Sequence, residues 1–231
     1  MNRQSWDDAL EYVHRLGAHE LERATDLLDA AIDRNGIGAL GDAFSEVCVS
    51  LMDRVLFPPG TVDIHAVVDT IALRIIDTSH DAQPGALDRQ RSLLVFLGSV
   101  GLPCAARDDV ASWDPTDRLH DLIACTIGLL VAVAEDEGAE VADIVAAIEP
   151  PGPLRSPEGT FDLAWRGPNG AEPFAGAVPR GYTAHITFLG SEPCSLRAIF
   201  GRVAMLRGDT SATADAETLN VSVVNPEDAG D

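Results

Sequence analysis

The longest apolar run of the chain, residues 122–134, constrains the fold most strongly. Its residues, LIACTIGLLVAVA, include no charged side chain. A membrane-spanning helix needs about 20 apolar residues, so this shorter run predicts a helix buried inside a protein. Asp114-Pro115 and Asp117 precede it, and an acidic N-cap, a proline at the first helical position and an acid in the first turn indicate a helix start. Because the run is apolar on nearly all sides, we expect the central helix of a bundle.

Helical periodicity extends over the first 149 residues. Apolar residues recur there at intervals of three or four, and the periodic stretches stop at signals such as Asn35-Gly36 and Pro58-Pro59. One such periodic stretch runs from Trp6 to position 31 without an obvious break, which predicts a single helix that ends at Asn35-Gly36. We therefore predict a mainly α protein, with an acidic all-α domain of five or six helices over residues 1–149.

The character of the sequence changes near residue 150. Residues 150–180 are rich in proline and glycine, which is typical of a linker or a long loop. Strand-like segments follow at 160–165, 182–189 and 218–224, with an amphipathic helical segment between the last two. These features predict a small α+β unit over residues 181–231, with about three strands when the strand at 160–165 is included. Limited proteolysis would then cut within 150–180 and leave a helical fragment that still folds.

The charge is strongly negative. The formal net charge is −21, and all 16 basic residues are arginine. Residues 1–150 hold 27 acids and 10 arginines, whereas the remainder holds 10 acids and 6 arginines, so the helical part carries most of the charge. Such a field repels a phosphate backbone, which predicts no direct nucleic-acid binding. Three interpretations of the acidic surface stay open: solubility, adaptation to salt, and recognition of a protein partner with a basic surface.

Cysteine spacing and the N-terminal sequence bear on location and cofactors. Cys48, Cys104, Cys125 and Cys194 are widely separated, which disfavours a zinc ribbon or a redox dithiol. The first residues lack the apolar region of a signal peptide. The sequence also lacks a glycine-rich phosphate loop and a GxSxG motif. We therefore expect a cytoplasmic protein with no cofactor and no membrane segment.

The segment GYTAHITFLG contains a possible phosphate site. On a strand, the residues at 182, 184, 186 and 188 would face a core, and His185 and Thr187 would face the other way. That pair resembles one half of the site of 2H phosphoesterases, and the resemblance implies a histidine acting as acid or base and a hydroxyl holding a phosphate oxygen. A complete site needs two such motifs, and no other histidine here has the matching hydroxyl. A plain strand is therefore the main interpretation, with a degenerate phosphate binder as a weaker alternative.

Two His-Asp pairs suggest a metal site. His80 precedes Asp81, and His120 precedes Asp121 in the N-terminal part of the predicted central helix. Histidine and aspartate in this arrangement on helices resemble the HD phosphohydrolases. The resemblance implies a divalent metal held by the set His80, His120, Asp121 and Asp143, and a hydrolytic activity on phosphate esters.

The sequence offers no complete catalytic constellation, but it does offer concentrated negative charge. Its leading interpretation is therefore a non-catalytic acidic module that works through protein–protein contacts, as an adaptor, a chaperone-like protein or a regulatory protein. The HD-type phosphohydrolase is the principal alternative. The oligomeric state stays open.

Overall fold

The computed structural model describes residues 2–18, 20–79, 85–98, 110–153, 159–166 and 183–201. This part of the chain is mainly helical and carries two small antiparallel sheets, which confirms the prediction of a mainly α protein with a small strand region. The bundle of five or six helices and the proline- and glycine-rich linker stay predictions. The helices are α1 (Arg3–Gly17), α2 (Leu21–Asn35), α3 (Ile37–Met52), α4 (Ile64–Ser79), α5 (Ala86–Gly98), α6 (Pro115–Glu137) and α7 (Val141–Ala146), with further helical residues at 110–112 and 196–201. The strands are β1 (Leu56–Phe57), β2 (Gly60–Asp63), β3 (Gly159–Arg166), β4 (Thr183–Gly190) and β5 (Cys194–Ser195).

Helix α6 lies at the centre, as its apolar sequence predicts. It packs against α3, α4, α5 and α7. Leu122, Leu129 and Leu130 are buried, and Ile123 and Ile127 are half-buried. Neither α6 nor any other helix in the described ranges is long and apolar enough to span a bilayer.

The start of α6 follows the predicted signals. Asp114 is the N-cap, its side chain accepts a hydrogen bond from the backbone N–H of Thr116 at 2.8 Å, and Pro115 occupies the first turn. That backbone hydrogen bond holds the pKa of Asp114 below its usual value, because it stabilises the charged carboxylate. The helix ends at Glu137 and is capped by Gly138, whose φ of 62° lies in the left-handed region that favours glycine.

Replacement of Asp114 by alanine is expected to lower stability in a pH-dependent way. The lowered pKa means that the carboxylate stabilises the folded state above its unfolded pKa of about 4 and loses this effect as the pH falls through the folded value. Urea unfolding should therefore show a larger difference between Asp114→Ala and the wild type at neutral pH than in strong acid. Asp26→Ala, at an exposed position within α2, is the control. An Asp114→Ala difference that does not change with pH would contradict the capping account.

The periodic stretch that begins at Trp6 is divided in the structure. The prediction of one unbroken helix across it is wrong, because α1 ends at Gly17, α2 begins at Leu21, and α2 packs back on α1. Asp8 fixes this arrangement by accepting hydrogen bonds from Arg34 at 3.0 Å and Asn35 at 2.6 Å. Gly17 lies at the break, where an added Cβ would come 3.0 Å from Val141 of α7. The apolar spacing alone predicts that the helix continues, whereas the close contact of Gly17 with Val141 lies where α1 ends.

The three-stranded sheet has the order β2-β4-β3, and all of its pairs are antiparallel. Strands β3 and β4 lie where the sequence predicts them, while the predicted strand at 218–224 falls outside the described residues. Ile186 and Phe188 of β4 are buried, and His185 and Thr187 are half-buried on the other face. The predicted two-faced pattern of this strand is thus present at the described positions.

Strands β1 and β2 differ from the all-helical prediction for residues 1–149. Pro58 and Pro59 cannot continue a helix, and the segment 56–63 instead pairs with β5 and β4. The N–H of Leu196 donates to the carbonyl of Val55 at 2.8 Å, and Arg197 bonds the Asp53 carboxylate at 2.8 Å. Chain segments on both sides of residue 150 therefore contribute to one core. A division at residue 150 into independently folding parts, with a linker at 150–180, stays a prediction.

Candidate binding groove

An open groove of about 550 Å³ lies between the β1–β2 segment and helices α4 and α6. Helix α4 contributes positions 66, 67, 70, 71 and 74, and α6 contributes 129, 132 and 136, so each helix presents one face. The described lining residues are Val55, Phe57, Pro58, Pro59, Gly60, Thr61, Val62, Asp63, Ala66, Val67, Thr70, Ile71, Arg74, Leu129, Ala132 and Asp136. Three elements that are distant in sequence thus form a single concave surface.

The groove walls are mostly apolar. Val62 and Val67 are half-buried, while Ile71 and Leu129 are buried at its base. Strand β2 runs directly into α4 at the buried Ile64, so the strand and the helix diverge from this residue. The wedge between them is the space that the groove occupies.

Ionised side chains at the rim are mainly acidic. The Asp63 carboxylate accepts the N–H of Ala66 at 3.1 Å, a contact typical of a helix start. Asp136 lies exposed near the end of α6. The single lining cation among the described residues, Arg74, forms an ion pair with Glu135 on α6. Asp63 and Asp136 therefore give the groove a negative rim.

The groove lies along the outer side of β2. This strand is an end strand of its sheet, with β4 as its neighbour. The lining includes all four residues of β2, but no described residue of β4. The backbone edge of β2 that faces away from β4 therefore borders the groove.

His185 and Thr187 lie outside the groove, on the exposed face of the sheet. The Thr187 hydroxyl is 3.0 Å from that of Thr61, and His185 Nε2 is 3.9 Å from the Asp63 carboxylate. Asp162 occupies the register position opposite Thr187 on β3. A phosphate at this position would be close to the Asp63 carboxylate, and like charges repel. Phosphate binding by the pair stays a prediction, and the nearby carboxylate disfavours it.

The members of the predicted metal set have different surroundings. His120 and Asp143 are exposed, on α6 and α7 respectively. Asp121 is buried, and its carboxylate forms an ion pair with Arg89 at 2.9 Å, which gives it a structural role in joining α6 to α5. Within the described ranges, no three His, Cys, Asp or Glu side chains form a group that could hold a metal ion. His80 lies outside those ranges, so the full set stays a prediction.

The described cysteines behave as apolar groups. Cys48 and Cys125 are buried between α3 and α6, and Cys48 Sγ is 3.1 Å from the Thr126 hydroxyl. The hydrogen bond with Cys48, together with burial, raises the pKa of Cys125 well above its usual value. Burial raises the pKa of Cys194 to about 11. The thiols of Cys125 and Cys194 therefore stay protonated near neutral pH, which disfavours nucleophilic or metal-binding roles for them.

The groove residues were missed by sequence reasoning. The segment PPGTVD, positions 58–63, appeared only as the end of a helix, although its two prolines, glycine and β-branched residues are typical of a turn followed by a strand. The edge of β2 on which no described strand lies, and the facing sides of α4 and α6, have no local signature. The packing of distant elements creates the groove, so a single sequence gives little warning of it.

Comparisons with known proteins give no family. No family model matches the chain, and neither a curated protein nor a solved structure matches it.

Proposed function

We propose that this protein is a non-catalytic acidic module that binds a protein partner through the groove between β2, α4 and α6. The observation that carries the proposal is an open apolar groove with carboxylates at its rim. Exposed concave apolar surface with a few polar groups is typical of binding sites, because covering it removes unfavourable contact with water.

The lining chemistry supports binding rather than catalysis. The described lining residues include no histidine, cysteine, serine, lysine or tyrosine. Of its hydroxyls, Thr70 donates to the carbonyl of Ala66 in its own helix at 2.7 Å, and Thr61 contacts Thr187. A hydroxyl nucleophile needs a base beside it that accepts its proton, and the contacts of these two hydroxyls are with a backbone carbonyl and with another threonine.

The charge supports a basic partner. Asp63 and Asp136 border the groove, and the whole chain has a net charge of −21. Electrostatic complementarity steers a positively charged partner toward such a surface and disfavours acidic ones. The adaptor, chaperone-like or regulatory roles all fit this mode of binding.

Filling the groove is expected to abolish partner capture. The immobilised full-length protein is incubated with cell extract at low and high salt, and bound proteins are quantified by mass spectrometry. Thr70→Trp places an indole in the groove, and Asp136→Arg reverses the rim charge. Proteins that bind through the groove should decrease by about tenfold or more with either variant, and high salt should weaken their binding.

Each of the two groove variants has a matched control, which lies on the same helix or carries the same type of substitution outside the groove. Leu73→Trp changes an exposed α4 side chain outside the lining, and Asp143→Arg reverses an exposed acid on α7. Both control variants should retain the partner. The partner is then purified, and its affinity for each variant is measured. Equal capture by Thr70→Trp and Leu73→Trp would refute the proposal.

A further inference from the structure

We propose that the partner segment binds as an added β-strand, pairing with the outer edge of β2 and placing alternate apolar side chains in the groove between basic residues. This inference rests on the proposed function and specifies the chemistry of the partner. The occupant is an extended segment of a protein with apolar residues at every second position and lysine or arginine between them.

The first support is the edge of β2. In an antiparallel sheet, alternate residues of a strand direct their N–H and C=O groups toward each neighbour. Strand β4 takes one side of β2, and no described strand takes the other. An end strand of this kind is a ready template for a further strand, unless charge, proline, a bulge or a covering element blocks it.

The second support is the position of the groove relative to that edge. A strand added beside β2 would have side chains alternating between the two faces of the extended sheet. One face would meet Val67 and Ile71 of α4 and Leu129 of α6 in the groove. The other would continue the exposed surface that carries Thr61. Apolar residues at every second position therefore suit the site better than a continuous apolar run.

The third support is charge. Asp63 ends β2 at one side of the groove, and Asp136 lies on its α6 wall. Asp63 shares the face of β2 that carries Thr61, so lysine or arginine at the alternate positions of the added strand would meet its carboxylate, while Asp63 and Asp136 together would repel an acidic strand. The segment at 218–224 of this chain, TLNVSVV, also alternates but has no basic residue, so it is the less favoured occupant.

The test uses the full-length protein and a blocked heptapeptide of alternating lysine and valine, followed by NMR. We expect the peptide to shift the methyl signals of Val67 and Ile71, and to slow amide exchange by about tenfold or more at positions within Gly60–Asp63 that exchange rapidly in the free protein. A peptide with glutamate in place of lysine should bind at least about tenfold more weakly. A peptide of the same composition with its valines in one block should also bind more weakly, because it lacks the alternation.

The outcomes separate this inference from the proposed function. Methyl shifts in the groove without slower exchange in β2 would overturn strand addition but leave groove binding standing. Equal binding by the Thr70→Trp and Leu73→Trp variants would refute both. Tighter binding of a TLNVSVV peptide than of the lysine–valine peptide would overturn the basic partner and assign the groove to the chain itself.

Discussion

A chain that ends at residue 153 is expected to lose its cooperative unfolding transition. The truncation removes β3, β4, β5 and the helical residues that follow them. Several of the lost side chains belong to the common core, namely Ile186, Phe188, Cys194, Leu196, Ile199 and Phe200. Burial of each large apolar side chain contributes about 1.5–3 kcal/mol, and a whole domain is stable by only about 5–15 kcal/mol. Circular dichroism during urea titration should show a gradual, non-cooperative loss of helix.

The matched control is a chain that ends at residue 201. It keeps every described contact, including that of Phe200 with Gly98, where an added Cβ would come 2.5 Å from the Phe200 side chain. This control should unfold cooperatively, at a higher urea midpoint than any transition of the chain ending at residue 153. A cooperative transition of similar midpoint for the chain ending at residue 153 would instead support the sequence-based division near residue 150.

Gly128→Ala is expected to be severely destabilising for a single added methyl group. Gly128 lies on α6 where this helix crosses α4, and an added Cβ would come 2.6 Å from the backbone Cα of Ile75. Because the obstructing atom belongs to the backbone, the two helices must move apart. Overpacking typically costs about 1–3 kcal/mol, and we expect about 3 kcal/mol or more here, despite the gain in helix propensity.

Gly41→Ala provides the comparison for Gly128→Ala. Gly41 is also a buried glycine within a helix, but its added Cβ would meet only Leu122 at 3.9 Å, an ordinary van der Waals contact. Alanine has the higher helix propensity, so this variant should be as stable as the wild type or more stable by up to about 1 kcal/mol. Urea unfolding of both variants checks the pair. A Gly128→Ala protein as stable as Gly41→Ala would contradict the close crossing of α4 and α6.

The helical part of the fold was predictable because its signals are local. The apolar run at 122–134 and the cap at Asp114 are complete within one stretch of sequence, and α6 forms where they predict it. The turn between α1 and α2 was missed because apolar spacing continues across it. The packing of α1 against α7 and the bonding of Asp8 to α2 hold the two helices side by side, and neither contact is encoded by periodicity.

The sheet was predictable only in part. Strand β4 alternates clearly, so Ile186 and Phe188 could be assigned to a buried face. Strands β1 and β5 have two residues each, and β2 has four, which is too short for a reliable pattern. The partner of β2 at Thr61 is Thr187, far along the chain. The candidate groove depends on this long-range pairing, and for that reason the sequence predicted the acidic surface but not the place where a partner would bind.

Site-specific photocrosslinking tests the central claim, that the groove receives a protein partner, most directly. A benzophenone amino acid replaces Thr70, which lines the groove, or Leu73, which is exposed on the same helix outside it. Irradiation in cell extract should give a discrete adduct from position 70 that high salt suppresses, and mass spectrometry should map it to a basic segment with alternating apolar residues. The protein with the probe at position 73 should give no such adduct. An adduct of equal yield from both positions, or none from position 70, would contradict the account.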